Sequence, residues 1–345
     1  MEFDRILIRV PNWVGDAIMS MPAVGQIRDR FPKSLLAVLA RPHVAGLYAS
    51  PLVDEVIPYT PPSGWRGLPA RWKLAGELRK RRFDVAVLLQ NAEEAAVIAM
   101  LARIPVRIGY NRASRGRWLT HPIPLPRAGE IPDHQRYSYL ELLRRSGLID
   151  ALPEVAEVKL TRLSLSGAPE KQLQGIWLGI APGSANGAAK RWLPERFAEA
   201  AAIAAKVAGA EAAIFGSAAE RDLCERVAGL IRAKGIRAVN FAGETTIAEF
   251  VAMAASCAAF LTNDSGAMHV AGTLGVPTVA VFGPTDPHAT GAAVKILREP
   301  VDCSPCLLHE CPIDHRCMTA VSADRAAAGL VELLAVPQPE GPWRT

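Results

Sequence analysis

The chain lacks any apolar run long enough to cross a bilayer. Nowhere along its 345 residues does a stretch approach the roughly 18 to 20 apolar residues that a membrane helix needs. The N-terminus also lacks the layout of a secretory signal, because Asp4, Arg5 and Arg9 interrupt the short apolar stretch there. We therefore expect a soluble, cytoplasmic protein.

Aromatic residues are scarce, at 6% of the chain, and they are not interleaved with the basic residues. A platform on which nucleic-acid bases stack requires both kinds of residue together. We therefore predict no nucleic-acid partner, although the formal net charge is +5.

Several signatures of nucleotide and cofactor sites are also missing. No predicted strand is followed by a GxGxxG dinucleotide fingerprint, and no glycine-rich loop has the Walker A spacing. The sequence has no Tyr-x-x-x-Lys pair of the kind that epimerases and reductases use, and no DxD pair in a loop that would hold a divalent metal. These absences predict chemistry without a cofactor or a metal ion.

The basic charge is concentrated in the first half of the chain. Residues 1–150 contain 22 lysines and arginines against 14 aspartates and glutamates, whereas the remainder contains 17 against 20. Any single basic residue is best explained as part of a solvated face. The asymmetry as a whole suggests that the first half meets something anionic, either a membrane surface or a phosphorylated or carboxylated substrate.

The sequence does contain a sustained alternation of strand and helix patterns. In the first half, predicted strands at 6–10, 35–40 and 85–89 alternate with helices such as 17–30, and a loop rich in Pro, Gly and Arg covers 111–133. Such alternation predicts a parallel sheet with helices on both faces.

A second alternating series begins at Trp177, after a looser pattern around residues 150–175. We therefore predict two Rossmann-like, doubly wound α/β domains, 1–160 and 161–345, that face each other across a cleft. Ligands in such sheets bind outside the carboxyl ends of the strands. A last helix is predicted over 323–334, and in this kind of fold it can return to the first domain.

A loop of small and polar residues, APGSANGAAKRWLP (181–194), follows the first strand of the second series. Gly183 and Ser184 offer backbone and hydroxyl donors, Lys190 offers a cation, and Pro194 suits the start of the next helix. This combination favours a diphosphate, although a purely structural loop is an equally common reading.

A second candidate loop lies in LTNDSGAMHVAGTLGVPTVAVFGPTDP (261–287). Asp264 or Ser265 is expected to cap the helix that follows, whose free N–H groups would face a ligand. His269 falls early in that helix and could face either a phosphate or the core. Two further loops, FGSAAERD (215–222) and FAGETT (241–246), follow neighbouring strands, so four loops are expected to converge on a nucleotide pocket.

Five motifs together resemble one enzyme family. They are NWVGDAIMSMP, PGSANGAAKRWLPERF, IFGSAAERD, FAGET and TNDSGAMHVAGTLGVPTVAVFGPTDP. In order and spacing the chain is similar to the lipopolysaccharide heptosyltransferases of glycosyltransferase family 9, in particular the heptosyltransferase II branch, from end to end. The resemblance implies a GT-B fold and inverting transfer of heptose from ADP-L-glycero-D-manno-heptose to heptosyl-Kdo2-lipid A, at the cytoplasmic face of the inner membrane.

The resemblance also implies roles for individual residues. The N-terminal acid of the family, proposed there as the general base, falls on Asp16, and the donor-site lysine falls on Lys190. The first domain would then bind the acceptor and the second the donor. The implied ADP-heptose site comprises Gly183, Ser184, Lys190, Glu220, Glu244, Asp264, Ser265, Gly266 and His269.

Acceptor residues are chosen by charge and loop position alone. The candidates are Asn12, Trp13, Arg66, Arg71, Arg112 and Arg115, with Lys73 and Arg117 as further basic neighbours. An anionic acceptor and an anionic membrane surface would both suit these side chains.

Four of the six cysteines fall within CSPCLLHECPIDHRC (303–317). Cys303, Cys306, Cys311 and Cys317 could hold a tetrahedral zinc ion, but the second pair lacks the usual C-x2-C spacing. Disulfides are disfavoured in a reducing cytoplasm. We therefore predict thiols and no metal, with a zinc ion or a disulfide as the alternatives.

Two other functions stay open on the sequence. One is a different glycosyltransferase of the same group, with another acceptor or sugar. The other is a nucleotide-sugar-binding Rossmann protein that transfers nothing.

Overall fold

The computed structural model of the protein describes residues 2–48, 51–60, 67–154 and 173–335. These residues form two compact units, one that reaches residue 154 and one that begins at residue 173. Each unit has its own six-stranded parallel sheet with helices, which confirms the α/β class and the Rossmann-like arrangement. The boundary predicted at residue 160 lies outside the described residues.

The first unit is built on a sheet of continuous apolar strands. Ile6, Leu7 and Ile8 in its central strand are at most 1% exposed, as expected for a parallel sheet covered on both faces. Its elements are β1 (Arg5–Arg9), α1 (Val14–Arg30), β2 (Leu35–Ala40), α2 (Pro42–Ala45), β3 (Glu55–Pro58), α3 (Leu68–Lys80), β4 (Val85–Leu88), α4 (Glu93–Leu101), β5 (Val106–Tyr110), β6 (His121–Ile123) and α5 (Gln135–Arg145).

The second unit repeats this plan around an alanine-rich core. Its elements are β7 (Trp177–Ala181), α6 (Pro194–Ala208), β8 (Glu211–Ile214), α7 (Arg221–Arg232), β9 (Ala238–Asn240), α8 (Ile247–Ala255), β10 (Ala259–Asn263), α9 (Gly266–Thr273), β11 (Thr278–Val281), α10 (Pro287–Thr290), β12 (Lys295–Leu297), α11 (Arg316–Thr319) and α12 (Ala323–Ala335). As predicted, Pro194 opens α6, and Gly209 ends it in a left-handed conformation with φ of 61°.

Both sheets have the same strand order. The first runs β3-β2-β1-β4-β5-β6, and the second, read in the same direction, runs β9-β8-β7-β10-β11-β12. The order therefore reverses between β1 and β4 in the first unit and between β7 and β10 in the second. Loops that leave the carboxyl ends of these strands form the crevice in which doubly wound sheets bind ligands.

Two predicted elements differ from the structure. Helix α1 begins at Val14 and not at residue 17, so Gly15 and Asp16 belong to its first turn. The predicted loop over 111–133 contains the short edge strand β6 and a 3-10 turn at Ala113–Trp118. Because β6 contains a proline and only three residues, periodicity gave no signal for it.

The last described helix, α12, packs on α6 and on strands β10 and β11 of its own unit. Ala326 and Leu330 in this helix are buried in the core of the second unit. Within the described residues, no helix combines the length and the apolar character that crossing a bilayer requires.

Candidate active site

The switch point of the second unit holds a buried ion pair. The Lys190 ammonium lies 2.6 Å from Asp264 Oδ2, and their side chains are 14% and 5% exposed. The Thr285 hydroxyl donates to the same oxygen at 2.6 Å. The carboxylate thus fixes one of the three N–H donors of the ammonium, so that the other two can face a ligand.

The loop that carries Lys190 is held in place by Asn263, at the end of β10. The Asn263 amide nitrogen donates to the Pro182 carbonyl at 2.7 Å, and its oxygen accepts from the Trp192 backbone N–H at 3.0 Å. Asn263 is fully buried and Trp192 is 1% exposed. These hydrogen bonds fix the path of residues 182–190 at both ends; the segment is here called the phosphate loop after the ligand predicted for it.

Helix α9 begins directly after this pair, but the predicted cap is wrong. Ser265 occupies the capping position with extended backbone, yet its side chain makes no capping hydrogen bond. Asp264 does not cap the helix either, because its carboxylate oxygen is engaged by Lys190 and Thr285. The N-terminal end of α9, which starts at Gly266, therefore lies beside the ion pair with its positive dipole end.

Ser184 and His269 are both buried in the second unit, at 3% and 6% exposure. Ser184 lies in the phosphate loop, and its carbonyl accepts from Arg191 at 3.2 Å. His269 lies in the second turn of α9, among the apolar residues of that helix. Ser184 thus belongs to the same loop as Lys190, and His269 belongs to the helix that follows Asp264.

The two predicted glutamates have local partners. Glu220 accepts from the Ser217 backbone N–H at 2.9 Å and closes a capping box there. Its carboxylate also lies against Gly183, where a Cβ atom would come within 2.2 Å of Glu220 Oε1. Glu244 forms an exposed ion pair with Arg221 at 2.8 Å. Glu220 therefore borders the phosphate loop, while Glu244 is part of a solvated pair.

The cysteine segment, residues 303–317, packs on the phosphate loop. The Ala189 backbone N–H donates to the His309 carbonyl at 3.0 Å, and His315 Nε2 donates to the Ala189 carbonyl at 2.7 Å. Gly187, with φ of 110°, leaves no room for a Cβ atom, which would lie 2.2 Å from the His309 carbonyl oxygen. The segment therefore buttresses the loop that carries Lys190.

The thiols of this segment are free. Cys303, Cys306, Cys311 and Cys317 form no disulfide, and burial raises the pKa of the Cys317 thiol. Among the described residues, no three metal-ligating side chains are grouped so that they could hold an ion. The choice among reduced thiols, a disulfide and a zinc ion for this segment therefore stays a prediction.

In the first unit, Asp16 lies in the first turn of α1. A carboxylate at this position is stabilised by the positive end of the helix dipole. The Tyr139 hydroxyl, on α5, is hydrogen-bonded to Asp16, and burial followed by the Asp16 charge raises the pKa of Tyr139 well above its usual range. Since Tyr139 is 5% exposed and α5 packs along α1, it fixes this carboxylate from the core side.

The turn before α1 rests on a buried arginine. Arg9 is 2% exposed; its guanidinium donates to Asn12 Oδ1 at 2.8 Å and to the Leu39 carbonyl at 3.1 Å. Burial lowers the pKa of Arg9 to about 10. His43 Nε2 donates to the Asn12 carbonyl at 2.7 Å. Asn12 is thus a fixed residue of this turn, while Trp13 beside it is 54% exposed.

The arginines chosen as acceptor contacts fall into different environments. Arg71 pairs with Glu94 at 2.7 Å and is partly exposed, and Arg112 is exposed. Arg66 lies outside the described residues. Of the further basic neighbours, Lys73 is exposed, and Arg117 pairs with Glu93 at 3.0 Å.

Arg115 has a different environment from these basic residues. It is fully buried, its Nη1 donates to the Gln90 carbonyl at 2.7 Å, and burial lowers its pKa to about 10. Its Nη2 leaves no space for a Cβ atom at Gly109, which would lie 2.3 Å away. The guanidinium thus lies buried between the end of β4 and Gly109 of β5, which charge and loop position alone could not reveal. Its part in acceptor binding stays a prediction.

Three residues of the site escaped the sequence analysis. Thr285 lies inside a quoted motif, but nothing in its spacing pointed to Asp264. Arg9 lies inside a predicted strand, where a lone cation gives no functional signal. Tyr139 lies on a helix that follows Asp16 by more than 100 residues, so only tertiary packing brings the two together.

Known proteins match this chain over most of its length. The family model described as Glycosyltransferase family 9 (heptosyltransferase) matches residues 71–316. Lipopolysaccharide heptosyltransferase 2 from Salmonella typhimurium is 31% identical over 83% of this chain and 84% of its own. Lipooligosaccharide heptosyltransferase 2 from Campylobacter jejuni serotype O:6 is 26% identical over 95% of this chain and 99% of its own.

Solved structures agree with these matches. The structure of E. coli ADP-heptose lps heptosyltransferase II superposes with a TM-score of 0.75 and 26% identity, over 96% of this chain and 98% of that one. The fold of this chain is therefore similar to that of the solved structure. The chain belongs to glycosyltransferase family 9, the heptosyltransferases.

Proposed function

We propose that the protein transfers L-glycero-D-manno-heptose from ADP-heptose to heptosyl-Kdo2-lipid A, with inversion at the anomeric carbon. It would act on the lipopolysaccharide inner core, at the cytoplasmic face of the inner membrane, with peripheral contact to the anionic lipid surface. The first unit, 1–160, would bind the acceptor, and the second, 161–345, the donor.

The observation that carries this proposal is the Lys190–Asp264 pair at the switch point of the second sheet. A lysine held by a carboxylate, beside a helix N-terminus and a loop with Ser184, suits a nucleoside diphosphate. When the glycosidic bond to the diphosphate breaks, negative charge develops on the departing ADP. Lys190 and the N–H groups of α9 stabilise that charge.

Asp16 is the general base of the proposed reaction. Its carboxylate removes the proton from the acceptor hydroxyl while that oxygen attacks the anomeric carbon. The bond from the anomeric carbon to the diphosphate oxygen breaks, and ADP leaves with the electron pair. The hydrogen bond from Tyr139 helps to orient this carboxylate.

The decisive experiment measures turnover with defined substrates. The purified protein is incubated with ADP-heptose and heptosyl-Kdo2-lipid A, and ADP release and product mass are followed. ADP release with a mass gain of one heptose supports the proposal. Turnover of another nucleotide sugar in its place points to a different transferase, and binding of the donor without any turnover points to a nucleotide-sugar-binding protein.

We expect the reaction to proceed without a divalent metal. Lys190 and the helix N-terminus supply the positive charge that a metal would otherwise give. Enzyme treated with EDTA and then assayed in metal-free buffer should keep its rate. A loss of turnover that Mg²⁺ or Mn²⁺ restores would contradict this expectation.

Replacing Tyr139 by phenylalanine should move the acid limb of the rate–pH profile to higher pH. The hydroxyl stabilises the ionised form of the Asp16 carboxylate, so its loss makes that carboxylate easier to protonate. We expect the rate at high pH to fall by less than about tenfold, with the KM for ADP-heptose unchanged. Tyr137→Phe on the same helix is the matched control, and an unshifted profile for Tyr139→Phe would contradict the role of Tyr139.

A further inference from the structure

Helix α3 in the first unit has an exposed apolar stripe on its outer face. Leu68 is 41% and Trp72 is 60% exposed. They are four residues apart, and Arg79 follows at seven residues, so all three lie along one side of the helix. Leu74, Ala75 and Leu78 of the same helix are buried in the core, so the exposed pair is not needed to hold the helix in place.

The surroundings of this stripe are strongly basic. Residues 68–82 contain six lysines and arginines and a single acidic residue, Glu77. Two of the six basic side chains are neutralised, since Arg71 pairs with Glu94 and Arg81 pairs with Glu55. Lys73, Arg79, Lys80 and Arg82 are exposed.

Helix α6 in the second unit provides an internal comparison. It also exposes two apolar residues four apart, Ile203 at 38% and Val207 at 64%. Its sequence, however, balances two basic residues with two acidic ones. Both helices thus expose apolar residues, but only in α3, of these two, do they stand among concentrated positive charge.

A tryptophan and a leucine among exposed cations suit one kind of partner. Tryptophan prefers the headgroup level of a bilayer, where its ring is apolar and its N–H stays hydrated. Clustered lysines and arginines are attracted to anionic lipids within a Debye length of the surface. An amphipathic helix with both features lies in the plane of the interface.

We propose that the outer face of α3, made of Leu68, Trp72, Lys73, Arg79 and Lys80, binds an anionic phospholipid surface with Trp72 in the headgroup layer. This inference rests on the proposed function, in which the acceptor is anchored in that surface. It adds which part of the chain makes the contact. Bound this way, the first unit would lie at the membrane that holds its acceptor.

The test is flotation with vesicles of phosphatidylcholine alone and of phosphatidylcholine with 30 mol% (about one third) phosphatidylglycerol, the anionic probe. The full-length protein should float with the anionic vesicles and be released by about 0.5 M salt. Leu68→Ala/Trp72→Ala should bind them at least about tenfold more weakly. The matched variant Ile203→Ala/Val207→Ala should bind like the unmodified protein.

Fluorescence quenching by brominated lipids locates the contact. Quenching in anionic vesicles should fall in Trp72→Phe, while Trp177→Phe, which alters a buried strand residue, should leave it unchanged. Equal flotation of the two double variants, or quenching that does not depend on Trp72, would overturn the proposal. Binding to heparin as tight as to the anionic vesicles, without quenching, would overturn it in favour of general polyanion binding.

Turnover assays with a water-soluble acceptor test the membrane contact of α3 and the proposed heptose transfer independently of each other. With a deacylated, water-soluble acceptor, Leu68→Ala/Trp72→Ala should turn over at the unmodified rate, because no membrane is involved. Failure of the unmodified protein to transfer heptose, with vesicle binding intact, would refute only the proposed function. Loss of activity by the double variant on the soluble acceptor, with an unchanged thermal midpoint, would refute a separate membrane role for this face.

Discussion

Asp16→Asn should abolish heptose transfer and leave ADP binding nearly intact. Asparagine keeps the size and the hydrogen bond of the carboxylate but cannot accept the acceptor's proton. General bases contribute about 10²- to 10⁴-fold to turnover, so we expect a loss in that range in kcat. ADP affinity, measured by calorimetry, should stay within about twofold, because the proposed diphosphate site contains none of the groups around Asp16.

The control for this variant lies on the same helix. Asp29 is exposed near the end of α1, and Asp29→Asn should retain the full rate. If Asp16→Asn keeps activity within about tenfold, equivalent to about 1.4 kcal/mol of barrier, Asp16 is not the base. A drop that coincides with a lower thermal midpoint would show instead that Asp16 serves the packing of α1 against α5.

Lys190→Ala should impair both the donor site and the stability of the second unit. The Asp264 carboxylate, 5% exposed, would be left without its ammonium partner. Removing one member of a buried ion pair costs about 3 to 5 kcal/mol of unfolding free energy. Loss of a group that stabilises the leaving diphosphate costs about 10²- to 10³-fold in kcat.

A second variant separates these two effects. Lys190→Ala/Asp264→Asn leaves no unpaired buried charge, so most of the unfolding free energy should return in urea titrations, while donor binding and kcat stay low. Lys206→Ala, in the exposed last turn of α6, is the matched lysine control. Unchanged kinetics of Lys190→Ala would place this lysine outside the donor site.

Much of the fold follows from local sequence. The buried strands, such as Ile6–Ile8, are continuous apolar runs. Helix starts are marked by residues such as Pro194, because proline is favoured in the first turn of a helix. Strands at the edge of a sheet were harder to predict from the sequence. For example, β6 is three residues long and contains Pro122. Short edge strands are stabilised by one neighbour and not by their own pattern, so the sequence alone did not predict them.

The candidate site residues also fall into those that local sequence predicts and those that only tertiary packing reveals. Lys190, Asp264 and Asp16 were predicted as site residues because the phosphate loop, the loop after β10 and the turn after β1 have motifs of their own. Their partners Thr285 and Tyr139 were not predicted, because a hydrogen bond between distant segments produces no recognisable pattern in the sequence. Arg115 was chosen as an acceptor contact by charge and loop position, and only the tertiary structure shows it buried near the end of β4.

By itself, the sequence determined two doubly wound α/β units, and it predicted a diphosphate loop with Lys190 and a carboxylate, Asp16, just after β1. Periodicity, helix-start residues and loop composition are local, so they can be read along the chain. The tertiary structure decided that Asp264 holds Lys190 instead of capping α9, that Tyr139 fixes Asp16, and that Trp72 remains on the surface. Each of these depends on which side chains packing brings within hydrogen-bonding distance or leaves exposed, and packing is set by the whole fold.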